Sequence, residues 1–190
     1  DATLFHTLRQ SLPRESIISL DAGTWCLKAS EALDHALTPS LFTPLDFASL
    51  GFAFPAAIGA QLACPERPSV ALLGDGGALY AIAELSTVIE HDIPVTMIVM
   101  NNSAWGAEKA YQHDFYEKRY IGTDLPSHDF ASIAESFGIR GLRADSAQSL
   151  ELGHRQGREA TDRPRRRQGA VSAQPLAERR AQGGRIPGQG

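Results

Sequence analysis

Asp75 and Asn102 stand 27 residues apart, inside the segments Gly74-Asp75-Gly76-Gly77 and Asn101-Asn102. A carboxylate and an amide carbonyl are hard oxygen donors. They suit Mg2+, which completes its shell with water and phosphate oxygens. Gly76 and Gly77 carry no Cβ, so backbone N–H groups at the start of a following helix can approach an anion. Taken singly, Gly-Asp-Gly is a tight turn and Asn-Asn a loop. At this spacing the two together read as a cation clamped to a diphosphate.

That reading requires two strand tips to lie side by side. Residues 70–73 and Val95–Met100 are short apolar runs rich in β-formers, as buried parallel strands are. Residues 78–91 between them have a helical pattern. In a strand-helix-strand unit the strands neighbour each other, so Asp75 and Asn102 emerge at adjacent carboxyl ends, where open α/β sheets bind ligands. Upstream, Ile17–Leu20 is a third apolar strand, and Asp21-Ala22-Gly23-Thr24-Trp25 follows it and opens a helix. An extended piece at 41–43 and a helix over 51–63 come next. Beyond the asparagines, 129–137 is predicted helical, capped by Asp129 and ended by Gly138, before a strand at 139–143. Pro65, Pro68 and Pro94 punctuate the connections. This alternation predicts an α/β fold, a parallel sheet with helices on both faces.

With these segments in place, the chain over about 4–143 resembles the diphosphate-binding domain of acetolactate synthase-like enzymes, the thiamine diphosphate-binding fold. Leu50-Gly51-Phe52-Ala53-Phe54-Pro55-Ala56-Ala57-Ile58-Gly59-Ala60 is similar to the family segment running into a helix beneath the cofactor. The resemblance implies thiamine diphosphate and Mg2+ as cofactors. It makes Asp75, Asn102 and the backbone carbonyl of Ala104 the metal ligands, and it puts Gly74, Gly76, Gly77, Gly23 and Thr24 at the diphosphate. Leu50, with Gly51 after it, would wedge under the cofactor and bend it into a V, bringing the pyrimidine amino group against the thiazolium C2–H. The Ala48 carbonyl would accept a hydrogen bond from that amino group. By itself, Leu50 also reads as an ordinary core residue.

The stretch from Trp105 to Tyr116 is polar on one side and aromatic on the other, and on the family pattern it covers the thiazolium end. Trp105-Gly106-Ala107-Glu108-Lys109 looks like the sulfoacetaldehyde acetyltransferase branch, and Tyr111 stands where acetolactate synthases carry a tryptophan. Trp105, Lys109 and Tyr111 are therefore candidate substrate contacts. For Lys109 the competing reading is a solvated side chain or an ion pair with Glu108 or Asp114. The resemblance implies a carboligase or acyltransferase acting on a 2-keto acid or a sulfoacetaldehyde-like substrate, with an acetolactate synthase or 2-keto acid decarboxylase as the alternative. It also implies that the glutamate facing the pyrimidine comes from a separate pyrimidine-binding domain, in a longer parent chain or another subunit of a homo-oligomer. The chain alone is then expected to be inactive.

Two readings from other classes compete. A dinucleotide-binding oxidoreductase expects Gly-x-Gly-x-x-Gly and an acid ending the next strand, whereas here that strand ends in Asn101-Asn102. A non-catalytic remnant of a cofactor-binding domain is the second.

At 190 residues, with 43% hydrophobic and 21% charged content, the chain can bury one sizeable core. The start, Asp1-Ala2-Thr3, lacks an initiator methionine and a signal pattern, so the chain reads as a piece of something longer. Cys26 and Cys64 sit in helical patterns beside apolar neighbours and read as buried reduced thiols, which implies a cytoplasmic location. No membrane span and no nucleic-acid partner are expected. Residues 1–147 form the predicted binding domain. Residues 148–190 hold nine arginines against four acids in a chain whose net charge is −4. Arg163-Pro164-Arg165-Arg166-Arg167 is incompatible with a buried strand, so this tail reads as a frame-slipped sequence, a disordered extension or, least of the three, a basic arm for nucleic acid. A sheet edge left exposed by loss of the final strand is the expected consequence.

Overall fold

The computed structural model describes residues 2–34, 37–146, 149 and 169–173. Its strands are β1 (Ile17–Leu20), β2 (Leu41–Phe42), β3 (Ser69–Gly74), β4 (Val95–Met100), β5 (Arg140–Ala144) and β6 (Gly169–Ala173). They form one sheet in the order β2-β1-β3-β4-β6-β5, with every pairing parallel. The helices are α1 (Ala2–Ser11), α2 (Thr24–Ala32), α3 (Ala53–Ala63), α4 (Asp75–Ala81), α5 (Leu85–Glu90), α6 (Gly106–Phe115) and α7 (Phe130–Ser136).

Side chains alternate across a strand, so a strand that is apolar throughout must be covered twice. Val70 and Leu72 of β3 join Ile18, Leu20, Ile98 and Met100 in a core with Phe5 and Leu8 of α1 and Cys26 of α2. Ala71 and Leu73, one residue out of phase, join Val95, Met97 and Val99 in a second core with residues of α3, α4, α5 and α7. The expected α/β fold with helices on both faces is what this chain forms. β3 and β4 pair in register from Ser69 opposite Val95 to Gly74 opposite Met100, so Asp75 and Asn101 leave neighbouring tips.

The far end of the sheet is set by a glycine. A Cβ on Gly141 of β5 would meet the backbone of Ala131 in α7, with the carbonyl oxygen nearest and the carbonyl carbon at 2.7 Å. Backbone cannot rotate aside as a side chain can. Gly141→Ala is therefore expected to cost at least ~2 kcal/mol, read as a lower urea midpoint at constant m-value. An unchanged midpoint would contradict the close packing of α7 on β5. Asp129 caps α7 by accepting from the Ser132 N–H, as expected, and the Arg143 guanidinium beside it holds its carboxyl down at about 2.

Several expectations are corrected. The single helix predicted over 78–91 is α4, a 3-10 turn at Ile82–Glu84 and α5, and α4 starts earlier, at Asp75. Gly76 and Gly77 are thus in the helix's first turn, where N–H groups have no intrahelical partner in any case. The helix expected over 51–63 begins at Ala53. Cys64 is the half-buried C-cap of α3 rather than a core thiol, while Cys26 is buried in α2, and both are free. The tail was expected to give the sheet nothing, yet Gly169–Ala173 lies between β4 and β5 and pairs with both. Residues 150–168, with the arginine run, and 174–190 lie outside the described residues. Among the described residues no helix is long and apolar enough to cross a membrane.

Candidate functional site

The loops leaving β1, β3 and β4 gather at one end of the sheet, together with the 48–52 segment that enters α3. Asp75, the first residue of α4, is 3% exposed. Its Oδ2 accepts a hydrogen bond from the Ala104 N–H at 3.2 Å, which ties it to the loop carrying Asn102. No basic side chain among the described residues pairs with it. Burial pushes its carboxyl above the ordinary aspartate range, against the pull of backbone N–H groups. A buried carboxylate without a countercharge is costly, and a bound cation removes the cost.

The Asn101-Asn102 pair divides its labour. Asn101 is buried, donates through Nδ2 to the His128 carbonyl at 2.9 Å and accepts from the Ser103 N–H at 3.2 Å, so it shapes the loop. Asn102 is half-buried and its side chain has no partner among the described residues. A Cβ on Gly106 would lie 3.4 Å from Asn102 Nδ2 and 3.9 Å from Thr24 Oγ1, so the β1 and β4 loops converge there. Ser103, between Asn102 and Ala104, takes a φ of 56°, and Ala48 takes 53°. Two non-glycine residues in the left-handed region adjoin the candidate positions, a pattern typical of functional loops.

Ala104 forms an antiparallel bridge with Asp124, flanked by hydrogen bonds from Trp105 N–H to Thr123 and from Leu125 N–H to Ser103. Those flanking bonds leave the Ala104 N–H free to turn the other way, to Asp75.

The glycines differ in what lies where a Cβ would be. The missing Cβ of Gly76 makes room for the Trp105 ring, whose Cε3 would lie 2.6 Å from it, and that of Gly77 makes room for Asp21, whose Oδ1 would lie 2.6 Å away. Gly23, at φ 115°, and Gly74 instead face open space. The Cα atoms of Gly76 and Gly77 are thus covered by side chains, whereas Gly74 is open. Gly51 takes φ 78°, and a Cβ there would press on Tyr80. Leu50 is 37% exposed, so the core reading of this residue is set aside.

Of the substrate candidates, Trp105 packs edge-on against Tyr80 with ring centroids 6.3 Å apart. Tyr111 is exposed and lies beside Phe115. Lys109 pairs with Asp124 at 2.7 Å, not with Glu108 or Asp114, and stands over the Tyr120 ring.

Asp21, which heads the loop after β1, has a part that its sequence context does not assign. Its buried carboxylate accepts from the Gly51 N–H through Oδ1 at 3.0 Å and from the Ala53 N–H through Oδ2 at 2.9 Å. Burial raises its pKa. Burial and the nearby Asp21 charge push the Cys26 thiol up to about 12, which leaves it unreactive. An acid after an apolar strand was the only signal, and it also fits a plain turn.

The model of the family described as "Thiamine pyrophosphate enzyme, C-terminal TPP binding domain" matches residues 21–165. The chain belongs to this family. The matched range runs past residue 147, into the stretch read as a foreign tail. Sulfoacetaldehyde acetyltransferase of Alcaligenes xylosoxydans xylosoxydans is 37% identical over 143 residues, 75% of this chain and 24% of that protein. Acetolactate synthase large subunit of Parasynechococcus marenigrum (strain WH8102) is 31% identical over 143 residues, 74% of this chain and 23% of that protein. A solved structure, the Rhodococcus jostii RHA1 thiamine diphosphate-dependent 4-hydroxybenzoylformate decarboxylase, superposes with a TM-score of 0.80 at 29% identity, over 90% of this chain and 31% of that one. This thiamine pyrophosphate-binding domain thus spans about a quarter of the length of the curated relatives it matches. Among its described residues no group of three His, Cys, Asp or Glu could hold a metal, so a cation at Asp75 must rely on amide and carbonyl oxygens as well.

Proposed function

We propose that this domain binds thiamine diphosphate through Mg2+ and forms the diphosphate half-site of a thiamine diphosphate-dependent carboligase or acyltransferase. The observation that carries the reading is the buried Asp75 carboxylate, without a basic partner among the described residues and bonded to the loop that holds Asn102 and Ala104. One carboxylate, one amide and one backbone carbonyl make the all-oxygen set that Mg2+ takes when phosphate completes its shell. Asp75, Asn102 and the Ala104 carbonyl would hold the metal, and Gly23, Thr24, Gly74 and the N–H groups of Gly76 and Gly77 would hold the diphosphate. Bound thiamine diphosphate would supply an electron sink that lets a substrate's carbonyl carbon carry negative charge. Leu50, exposed in the turn just before Gly51, would support the cofactor's middle, and the Ala48 carbonyl would accept from its amino group.

A 2-keto acid or a sulfoacetaldehyde-like compound is the proposed substrate class. Higher identity to the sulfoacetaldehyde acetyltransferase than to the acetolactate synthase favours the former branch. Leu45, Phe47 and Leu50, on the segment leading into α3, and Tyr80, against Gly51, are exposed apolar or aromatic side chains, which supports a pyrimidine-binding domain, from a parent chain or a partner subunit, seating there. This domain by itself is expected to turn over neither pyruvate nor sulfoacetaldehyde with phosphate, because on this reading the glutamate facing the pyrimidine comes from the pyrimidine-binding domain. Product from either substrate with this chain alone would contradict that. Mg2+-dependent thiamine diphosphate binding separates the proposal from a dead remnant, which binds nothing.

Lys109 tests the anionic substrate contact. Its ammonium already satisfies Asp124, so in the assembled enzyme Lys109→Met is expected to change KM for an anionic substrate less than about threefold, as for an exposed ion pair. A tenfold rise in KM at constant kcat would make Lys109 a substrate ligand after all.

A further inference from the structure

The geometry points to Asp21 as a positioning residue that fixes the loop bearing Ala48 and Leu50 relative to the diphosphate end of the site; this rests on the cofactor reading above. Three separate segments meet at this one carboxylate. It is the first residue after β1. Through Oδ1 and Oδ2 it holds the Gly51 and Ala53 N–H groups at 3.0 and 2.9 Å, across 30 and 32 residues of chain. Its Oδ1 also fills the place a Cβ would take on Gly77 in the first turn of α4.

α3 has no cap of its own. Phe52 at its N-cap position offers no side-chain hydrogen bond, so Asp21 caps the helix from the loop after β1. A carboxylate placed beside an anion site works against the anion on charge alone, by simple repulsion. Its benefit must then be geometric. The Gly51 bond sets where the 48–51 turn stands, and the Gly77 contact sets the distance from that turn to α4. Asp21 thereby spaces the proposed support for the cofactor's middle from the proposed diphosphate cradle.

The test compares two ligands in the full chain with Mg2+: thiamine diphosphate, which spans both parts of the site, and inorganic pyrophosphate, which needs only one. Asp21→Asn keeps the shape, removes the charge, and turns an N–H toward one of the two backbone donors. It is expected to weaken thiamine diphosphate binding about tenfold while pyrophosphate affinity holds or improves. A residue that merely stabilised the fold would shift both affinities alike or neither, and either result overturns the inference. Asp21→Ser, a smaller side chain with one acceptor, is measured alongside and should show the same split. If neither variant folds, Asp21 is structural and the inference fails. Absence of Mg2+-dependent pyrophosphate binding in the unsubstituted chain would instead refute the underlying cofactor reading.

Discussion

Asp75→Asn should weaken Mg2+-dependent binding of thiamine diphosphate by about 100-fold and leave the apo domain at least as stable as before. The two halves of this expectation come from the same carboxylate. Folding buries Asp75 to 3% exposure without a basic partner among the described residues, so its ionised form costs the folded state free energy and its pKa rises. A carboxyl with a raised folded-state pKa stabilises the fold only while protonated. That contribution is lost as pH rises through the raised value, so near neutrality the ionised group is a burden. Asparagine keeps an acceptor for the Ala104 N–H and has no charge to bury. It also lacks the charge a divalent ion needs. A 31P titration with Mg2+ reads the first effect and a thermal melt without metal reads the second. A variant that bound normally, or one that lost several degrees of Tm along with binding, would mark Asp75 as a structural acid.

Gly76→Ala should be the most disruptive single methyl group in the site. The added Cβ would enter the Trp105 ring, with Cε3 at 2.6 Å and Cζ3 closer still. Trp105 is held on two sides, because Tyr80 packs against its ring and its backbone N–H fixes the main chain to the Thr123 carbonyl at 2.8 Å. Strain of this kind costs ~1–3 kcal/mol, and here it falls between the loop of Asp75 and the loop of Asn102. Both stability and cofactor affinity should fall. Trp105→Ala relieves the clash at the expense of a cavity, so the double variant should be more stable than the two single losses predict. Strict additivity would show that the ring does not occupy this position.

How much of this was legible in the sequence depends on how far apart the partners lie along the chain. β1, β3 and β4 were readable because a strand covered on both faces must be apolar throughout, and Ile17–Leu20, 70–73 and Val95–Met100 are nearly so. Asp75 and Asn102 stood out because each ends such a run. Their placement at adjoining tips follows from the crossover rule alone.

Contacts that only the fold creates were not legible. Nothing near Asp21 in sequence hints at N–H groups 30 residues on, and nothing near Gly76 hints at a tryptophan ring from the next loop. Gly76 and Gly77 stand out for their missing Cβ, which fits an approaching anion and an approaching side chain equally well, and the fold puts side chains there. β6 escaped notice because Gly-Ala-Val-Ser-Ala is short and small-sided beside a run of arginines. Lys109 had two acids nearby in sequence, yet the bridge between Ala104 and Asp124 brought a third one closer.

The central claim is that one ion joins the loops of Asp75 and Asn102 to a diphosphate. Mn2+ substituted for Mg2+ makes that junction visible by electron-nuclear double resonance. With thiamine diphosphate added, the account predicts 31P hyperfine coupling to the bound Mn2+, lost in Asp75→Asn. Mn2+ held without phosphorus coupling, or thiamine diphosphate bound equally well in EDTA, would contradict it.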